Sequence, residues 1–485
     1  MTESSMDENV TAENELGTTD NLKWYQGITS YQWTVLIIAS LGWIFDVFEG
    51  QIFVASMNEA MPSLVGKENL VNIPTYNQIA LAAFLLGGAV GGIFFGMLSD
   101  RIGRTRTMSI TILFYSLFTC ISAFSQQWWH MAGFRFLVAM GVGGEWAIAS
   151  AMVNEVFPKR ARAHVGGLFH ASSVLGTYLA VMAGMFLIGN ESIQQWAAGL
   201  DIEFVDKSTI PWRLGFVIGV IPAVLIIWIR LSLKEPESWQ QAQQKAQSGS
   251  GQPLGRISDL FRKQYRSKTC VGVLLAAIGM ATFWGVHIYG KNVMRNAAHL
   301  ELPAIVQGDA LEAGEIVLGE TQKVVDKNEL KKYEMLGMLF GTTGAGLGLL
   351  AFGPLCHRLG RRPAFALYHV AAVGISLVIF LGDFSTTQLY PLLIIFGFFT
   401  VGMHAGYAIY FPELYPTRMR GTGTGFCFNA GRILAAPILI LTGAMQSKLQ
   451  LSEVEIGAYL SGLFALALVV LCFAPETRDA IEGEE

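Results

Sequence analysis

Charged and amide side chains inside otherwise apolar runs are where this sequence can do chemistry. Asp46 and Glu49 stand in LGWIFDVFEGQIF, Arg135 and Glu145 in RFLVAMGVGGEWAIAS, and Asn429 and Arg432 in GFCFNAGRILAAP. An ionisable group in such a run is expensive, so it needs a partner, a ligand or a transport role. Asp46 and Glu49, at i and i+3, share one helical face. By a rise of ~1.5 Å per residue, Glu49 lies ~24 Å from the inner end of its helix, and Arg135 reaches a similar height on a helix entering from outside. Low dielectric favours a neutral acid and a nearby guanidinium an ionised one, so a movable Arg135 beside Glu49 makes a proton switch. The alternative is a static ion pair. Glu145 sits deeper, near the height of His170, where a Glu–His pair either relays a proton or only links two helices. Asp46, Glu49, Arg135 and Glu145 are thus the candidate proton-coupling residues.

Arg432 offers a different chemistry. Its planar fork holds a carboxylate in two places and stays charged. No acid lies deep in the second half to neutralise it, so Arg432, with Asn429 one turn away, reads as the anchor for a small organic anion. The competing reading pairs it with Glu49 or Asp46. His404 and Tyr407 share a face, as do Trp284 and His287, and such rings suit a polar organic ligand. Tyr289 and Tyr410 lie on the same two runs, and Lys291, at the outer mouth, is expected to snorkel to water.

These residues need membrane-spanning helices to position them. Of the 485 residues 52% are hydrophobic and only 14% charged, and the mean hydropathy is +0.44, the composition of a chain made mostly of spans. The net charge of −4 gives nucleic-acid binding no support. Five scattered cysteines form neither a disulfide framework nor a zinc spacing. No metal, cofactor or nucleophile–base set is legible, so an enzyme is not expected. On a template of ~20 apolar residues per crossing, spans fall near 33–57, 78–98, 107–125, 131–154, 164–188 and 212–232. After a polar linker, 233–268, six more fall near 269–290, 335–356, 363–382, 388–411, 420–444 and 454–474. The fold class is an all-α membrane protein of twelve helices in two six-helix bundles, 33–232 and 269–474. A long outer loop, 291–334, interrupts the second. Arg101, Arg104, Arg106, Lys159, Arg160, Arg162, Arg358, Arg361 and Arg362 mark the cytoplasmic side. The tails 1–32 and 475–485 are therefore expected inside a cell (inner) membrane.

Two motifs recur. Gly96-Met-Leu-Ser-Asp-Arg-Ile-Gly-Arg104 returns as Gly353-Pro-Leu-Cys-His-Arg-Leu-Gly-Arg361, an offset of 353 − 96 = 257. Glu155-x-x-Pro158-x-x-x-Arg162 returns as Glu413-x-x-Pro416-x-x-x-Arg420, an offset of 413 − 155 = 258. Two motifs at nearly one offset mean two parallel halves with a binding site between them at the midplane. Gly96, Asp100, Arg101, Gly103, Arg104, Glu155 and Arg162, with Arg358, Arg361, Glu413 and Arg420, form a candidate cytoplasmic gate. In it the glycines permit close helix approach and Asp100 latches the inner side. The alternative is that they set topology and packing alone.

Over essentially its whole length the chain resembles the major facilitator superfamily. Within it, Lys23-Trp24-Tyr25, Asp46-x-x-Glu49, Gly143-Gly144-Glu145-Trp146, Trp212-Arg213 and Glu235-Pro-Glu-Ser-Trp239 resemble the sialate/lactate type of organic-acid:proton symporter. That pattern has Asp-x-Phe-Asp where this chain has Asp46-Val-Phe-Glu49. The resemblance implies symport of a monocarboxylate or sialate-like acid with protons, by alternating access, through a monomer in the lipid bilayer. A proton-coupled sugar or polyol carrier is the alternative, although span seven lacks the double glutamine of sugar carriers. A non-transporting receptor of the same fold comes third.

Overall fold

The computed structural model describes residues 23–201, 205–236, 239–240, 244, 257–304, 324–416 and 419–477. The side chains of Asp100, Ala147, Asn154, Lys159, Arg160, Ala163, Arg230 and Arg420 are not described. Among these residues the regular structure is helical. Spans one to four are Ser30–Leu64, Ile73–Ile102, Arg104–Ser122 and Trp128–Val156. Span five joins Lys159–Ala171, Ser173–Ala183 and a π turn, Gly184–Ile188. Span six joins Ile210–Val217, a 3-10 stretch Ile218–Val224 that contains Pro222, and Leu225–Ser232. In the second half, span seven is Arg266–Trp284 and Val286–Glu301, and span eight is Lys327–Leu359. Span nine is Arg361–Leu381 and span ten is Thr386–Gly402 and His404–Glu413. Spans eleven and twelve are Arg420–Leu449 and Glu453–Cys472.

Eleven helical segments are long and apolar enough to cross a bilayer. Span three is the twelfth (11 + 1 = 12), its hydropathy diluted by Thr105, Thr107, Ser109, Thr111, Ser116 and Thr119, all buried. It packs between spans four and six. Several helices begin at side-chain caps: Thr29 with Gln32 for span one, Ser385 with Gln388 for span ten, Ser452 with Glu455 for span twelve, and Asp326 for span eight. Helix covers 291–301 and 327–334, both expected in the outer loop. Those turns are polar, which hides them from a hydropathy template.

The repeat extends into the packing. In the first half the missing Cβ atoms of Gly87 and Gly91 leave room for the carbonyls of Phe136 and Met140, which seat span two on span four. In the second half Gly344 and Gly348 take the carbonyls of Ile394 and Phe398, seating span eight on span ten. The offsets are 344 − 87 = 257 and 394 − 136 = 258, those of the motifs. Close approach through small residues is how apolar helices associate where the hydrophobic effect gives no drive. Gly96, by contrast, has nothing within 4 Å of a Cβ position, so the first motif glycine is not a contact point.

Candidate functional site

Span four carries Arg135 inward past an aromatic wall. Its guanidinium lies 5.3 Å from the ring centre of Phe84, 5.6 Å from that of Phe216 and 5.9 Å from that of Phe53. Its one hydrogen bond is a donation from Nη1 to the main-chain carbonyl of Glu49, 2.7 Å away. The expected side-chain pair with Glu49 is therefore not formed. The Glu49 carboxylate turns the other way, against Gly219 of span six and Thr119 of span three. Among the described residues neither of its oxygens has a hydrogen-bond partner, and the same holds for the Tyr115 and Thr119 hydroxyls. The hydroxyl-rich spacing of span three is the signal that would have marked this polar wall in the sequence.

Glu145 does not meet His170 either. Its carboxylate lies against Gly42 of span one, one turn before Asp46, and the two acids face each other. Both carboxylates are without hydrogen-bond partners among the described residues, and Asp46, Glu49 and Glu145 are at most 1% exposed. Glycine at 42 is what allows this approach, since a Cβ there would collide with the Glu145 carboxylate. His170 sits instead among Trp43, Trp146 and Phe169. Gly143 packs on Gly88 and Gly144 on Phe95, which makes the glycine cluster a packing surface.

From the second half, span eleven lays Asn429 and Arg432 onto span two. A Cβ on Gly88 would stand 2.8 Å from Arg432 Nη1, and one on Gly92 would stand 3.1 Å from Asn429 Oδ1. Phe428 lies 4.9 Å under the Arg432 guanidinium and stacks on Trp146 of the first half at 5.0 Å. Arg432 is half-buried and has no carboxylate within salt-bridge reach among the described residues. The acid that faces it is Asp46. Asn429 donates to the Gly425 carbonyl at 3.0 Å, and its Oδ1 has no partner.

His287 and His404 come together around Phe283. His287 stacks on that ring at 5.8 Å, and His404 meets it edge-on at 5.4 Å. Each follows a helix break, at Gly285 and at Met403. Irregular backbone is tolerated at membrane depth where protein or a cavity covers it. Tyr407 lies 5.1 Å from His404 with its hydroxyl against Gly279. His287 Nδ1, His404 Nε2 and Tyr407 Oη all lack partners. Tyr410 departs from this group, since its hydroxyl donates to the Pro475 carbonyl at 2.7 Å.

On the inner side the described contacts of Arg104 and Arg361 run within one half each. Arg104 reaches Ser99 at 2.7 Å and Glu155 at 3.3 Å, and its backbone N–H donates to Glu235 at 2.6 Å. Arg361 grips Glu413 at 2.7 and 3.0 Å, and its N–H donates to Glu476 at 2.9 Å. Gly103 and Gly360, at φ 109° and 97°, make the turns that bring these N–H groups to their acids. Arg162 donates to the Phe157 carbonyl at 3.0 Å instead of pairing along its own turn. Arg101 is exposed. Arg358 lies in the last turn of span eight. The side chains of Asp100 and Arg420 lie outside the described residues.

The outer side holds a cluster that the sequence reading missed. Lys291 does not snorkel: it is 3% exposed and bonds to Glu334, which is 0% exposed. Glu334 is buried at the outer end of span eight. Lys331, 3.3 Å from Glu334, crosses to the first half, where it bonds to the Ala55 carbonyl and, at 2.9 Å, to Glu59. Arg295 completes the group 3.7 Å from Glu334. Further links cross between the halves nearby: Gln194 to Asn328 at 2.7 Å, Tyr178 with Thr343 at 2.8 Å, and Thr75 to Ser447 at 2.9 Å. The molecule is tied shut outside.

Comparison with known proteins agrees with this architecture. A protein of Cupriavidus pinatubonensis described as a probable 4-methylmuconolactone transporter is 26% identical over 463 residues, covering 95% of this chain and 94% of that one. The sialic acid transporter NanX of Escherichia coli is 24% identical over 419 residues, covering 86% and 88%. A solved D-xylose-proton symporter superposes with a TM-score of 0.66 at 15% identity, covering 93% of this chain and 99% of that one, a likeness of fold alone. The sequence profile of the Major Facilitator Superfamily matches residues 50–436, about four-fifths of the chain. With twelve helices in two repeated halves, the chain belongs to the Major Facilitator Superfamily of membrane transporters.

Proposed function

We propose that the protein is a proton-coupled carrier of a small organic anion, a monocarboxylate or sialate-like acid, working by alternating access. It would act as a monomer in the cell (inner) membrane with both termini in the cytoplasm. The observation that carries this reading is Arg432, a guanidinium at the seam between the halves with no salt-bridge partner among the described residues, facing Asp46 of span one. A substrate carboxylate supplies the missing partner, with Asn429, His287, His404 and Tyr407 offering unpaired polar atoms to the rest of the solute. Relatives named for sialic acid and methylmuconolactone support the substrate class.

The proton belongs, on this reading, to the facing pair Asp46 and Glu145. Two carboxylates brought together away from water hold a proton between them far more easily than two charges. A bound anion on Arg432 removes the cation that faces Asp46, so anion and proton enter together and the occluded charge stays small. Glu49 is the second candidate carrier, and Arg135 is the pin that fixes the height of span one. In proteoliposomes, inward transport of the acid should acidify the lumen. Arg432→Ala should abolish uptake, since a charge-assisted bidentate contact is lost, while Arg432→Lys should retain a few per cent. Full anion transport by Arg432→Ala would overturn the assignment, and uptake of neutral polyols independent of Arg432 would favour the sugar or polyol carrier.

A further inference from the structure

Span three disposes of its buried hydroxyls in two ways. Toward its ends they bond back to its own backbone, the usual resort of serine and threonine inside a helix. Thr107 donates to the Gly103 carbonyl at 2.7 Å, Ser109 to that of Thr105 at 3.0 Å, Thr111 to that of Met108 at 2.9 Å and Ser122 to that of Phe118 at 2.8 Å. Between these, Tyr115, Ser116 and Thr119 are 0% exposed, and none of their hydroxyls has a hydrogen-bond partner among the described residues. A buried phenol ordinarily finds a partner, and a buried hydroxyl left without one is costly. The exception to the rule falls where span three runs past the acids of the first half.

Packing fixes the order of these groups. A Cβ on Gly141 of span four would stand 2.8 Å from Tyr115 Cβ and 3.0 Å from Tyr115 N, so spans three and four touch at that residue. The Tyr115 phenol faces Asp46, with Glu145 and Glu49 also around it. Thr119 lies one turn outward on the same face of span three. There it meets Glu49: the Cβ position of Gly219 is 3.0 Å from both Thr119 Cβ and Glu49 Oε1. The Glu145 carboxylate, against Gly42, ends the series on the inner side of Asp46. From outside to inside the order is Glu49, Thr119, Tyr115, Asp46, Glu145. Two cations flank it, Arg135 facing Glu49 and Arg432 facing Asp46.

We propose that Thr119 and Tyr115 are proton-relay residues that join Glu49 to the Asp46–Glu145 pair, so that the three acids share one proton path. The inference rests on the proton-carrier reading of these acids. In the transfer, a protonated Glu49 gives its proton to the Thr119 oxygen, Thr119 gives its own to the Tyr115 oxygen, and Tyr115 gives its own to the Asp46 carboxylate. Each hydroxyl gains one proton as it loses one, Glu49 is left ionised and Asp46 neutral. In this outside-closed form the hydroxyls are unbonded and the path is broken. It joins by rotation of the Tyr115 hydroxyl about its C–O bond and of Thr119 about χ1, for which threonine in a helix has two rotamers. Glu49 and the inner pair then act as the two ends of one titrating unit, not as independent carriers, and one proton accompanies each anion.

Infrared difference spectroscopy on the full chain in lipid nanodiscs reads this path without any solute. A protonated carboxyl absorbs apart from a carboxylate, and its band shifts when transfer to D2O replaces the proton by deuterium. Glu49→Gln and Asp46→Asn assign the bands. In wild type the Glu49 and Asp46 bands should shift at one common rate. Tyr115→Phe, which loses a single oxygen, and Thr119→Val, which keeps the phenol, should each split the two rates about 100-fold, the smaller end of what a positioned proton-transfer group contributes. Thr107→Val, whose hydroxyl is spent on its own helix, should keep one rate. Two rates in wild type, one rate in either relay variant, or a split in Thr107→Val would overturn the path and leave the acids as proton carriers. Absence of any protonated carboxyl band in wild type across the pH range would overturn the carrier reading and the path together.

Discussion

The outer and inner faces of the molecule use their described ion pairs in different ways. Outside, Lys331 reaches from span eight to Ala55 and Glu59 of span one, so its bonds cross the boundary between the halves. Inside, Arg104 with Glu155 and Arg361 with Glu413 stay within a half. Dryness does not follow the same division: Lys291 and Glu334, both of the second half, are at most 3% exposed, whereas Glu59, in the pair that crosses, is 34% exposed, against 11% and 12% for the side chains of Arg361 and Glu413. Bonds across the boundary must break for the solute to pass, whereas bonds within a half can persist throughout the cycle. On the proposed alternating-access reading, the outer cluster would act on the balance between conformations and the inner pairs on the integrity of each bundle.

Four substitutions test that contrast, in falling order of effect. Glu334→Gln removes the acid shared by Lys291, Lys331 and Arg295 and leaves buried cations facing one another, at a cost of about 3–5 kcal/mol. A thermal midpoint in detergent equal to that of wild type would refute the idea that the cluster is held by this acid. Lys331→Met removes the arm that crosses to span one but leaves Lys291 on Glu334, so the expected effect is a shift toward an outward-open form. Labelling of a cysteine at position 58 by an impermeant maleimide added outside should speed up about ten-fold, equivalent to ~1.4 kcal/mol. An unchanged rate would mean that Lys331 is not the latch. Glu413→Gln, within one half, should cost about 1–2 kcal/mol in thermal stability and leave the outside labelling rate alone. Faster labelling there would erase the distinction between the faces. Lys332→Ala breaks an i,i+3 pair with Glu329 whose side chains are 58% and 47% exposed, and should change neither readout beyond ~0.5 kcal/mol.

What the sequence disclosed and what it hid follow the same division. The twelve spans and the repeat are legible because hydropathy and motif spacing are local properties of the chain. Arg432 and the span-one acids stand out because a charge in an apolar run is anomalous wherever it finally points. The partner of Arg135 could not be read, since a main-chain carbonyl leaves no mark in a sequence and only the rotation of span one decides that the Glu49 carboxylate turns toward Thr119. The Glu145 partner depended likewise on Gly42, a residue conspicuous only for what it lacks. Lys291 was expected at the water interface, and Lys331 and Glu334 fell inside the expected outer loop, because all three lie on polar helical turns at the ends of spans seven and eight. Span one alone, at 35 residues, is ~52 Å long, well beyond the ~30 Å apolar layer. Helices that overshoot bury their charges against each other instead of in water.

The glycine seats between spans two and four, and between eight and ten, carry a mechanical implication. A carbonyl lodged where a Cβ would stand cannot slide by one residue, a step of ~1.5 Å, without striking a side chain, so each pair travels as one welded plate. Gly88 and Gly92, which underlie Arg432 and Asn429, belong to the plate that also bears Arg135 and Glu145. Span eleven also rests on span two through a glycine, Gly443 against the Pro74 carbonyl. Arg432 and Asn429 therefore lie on the contact between span eleven and that plate, the surface that the proposed alternating access would have to part.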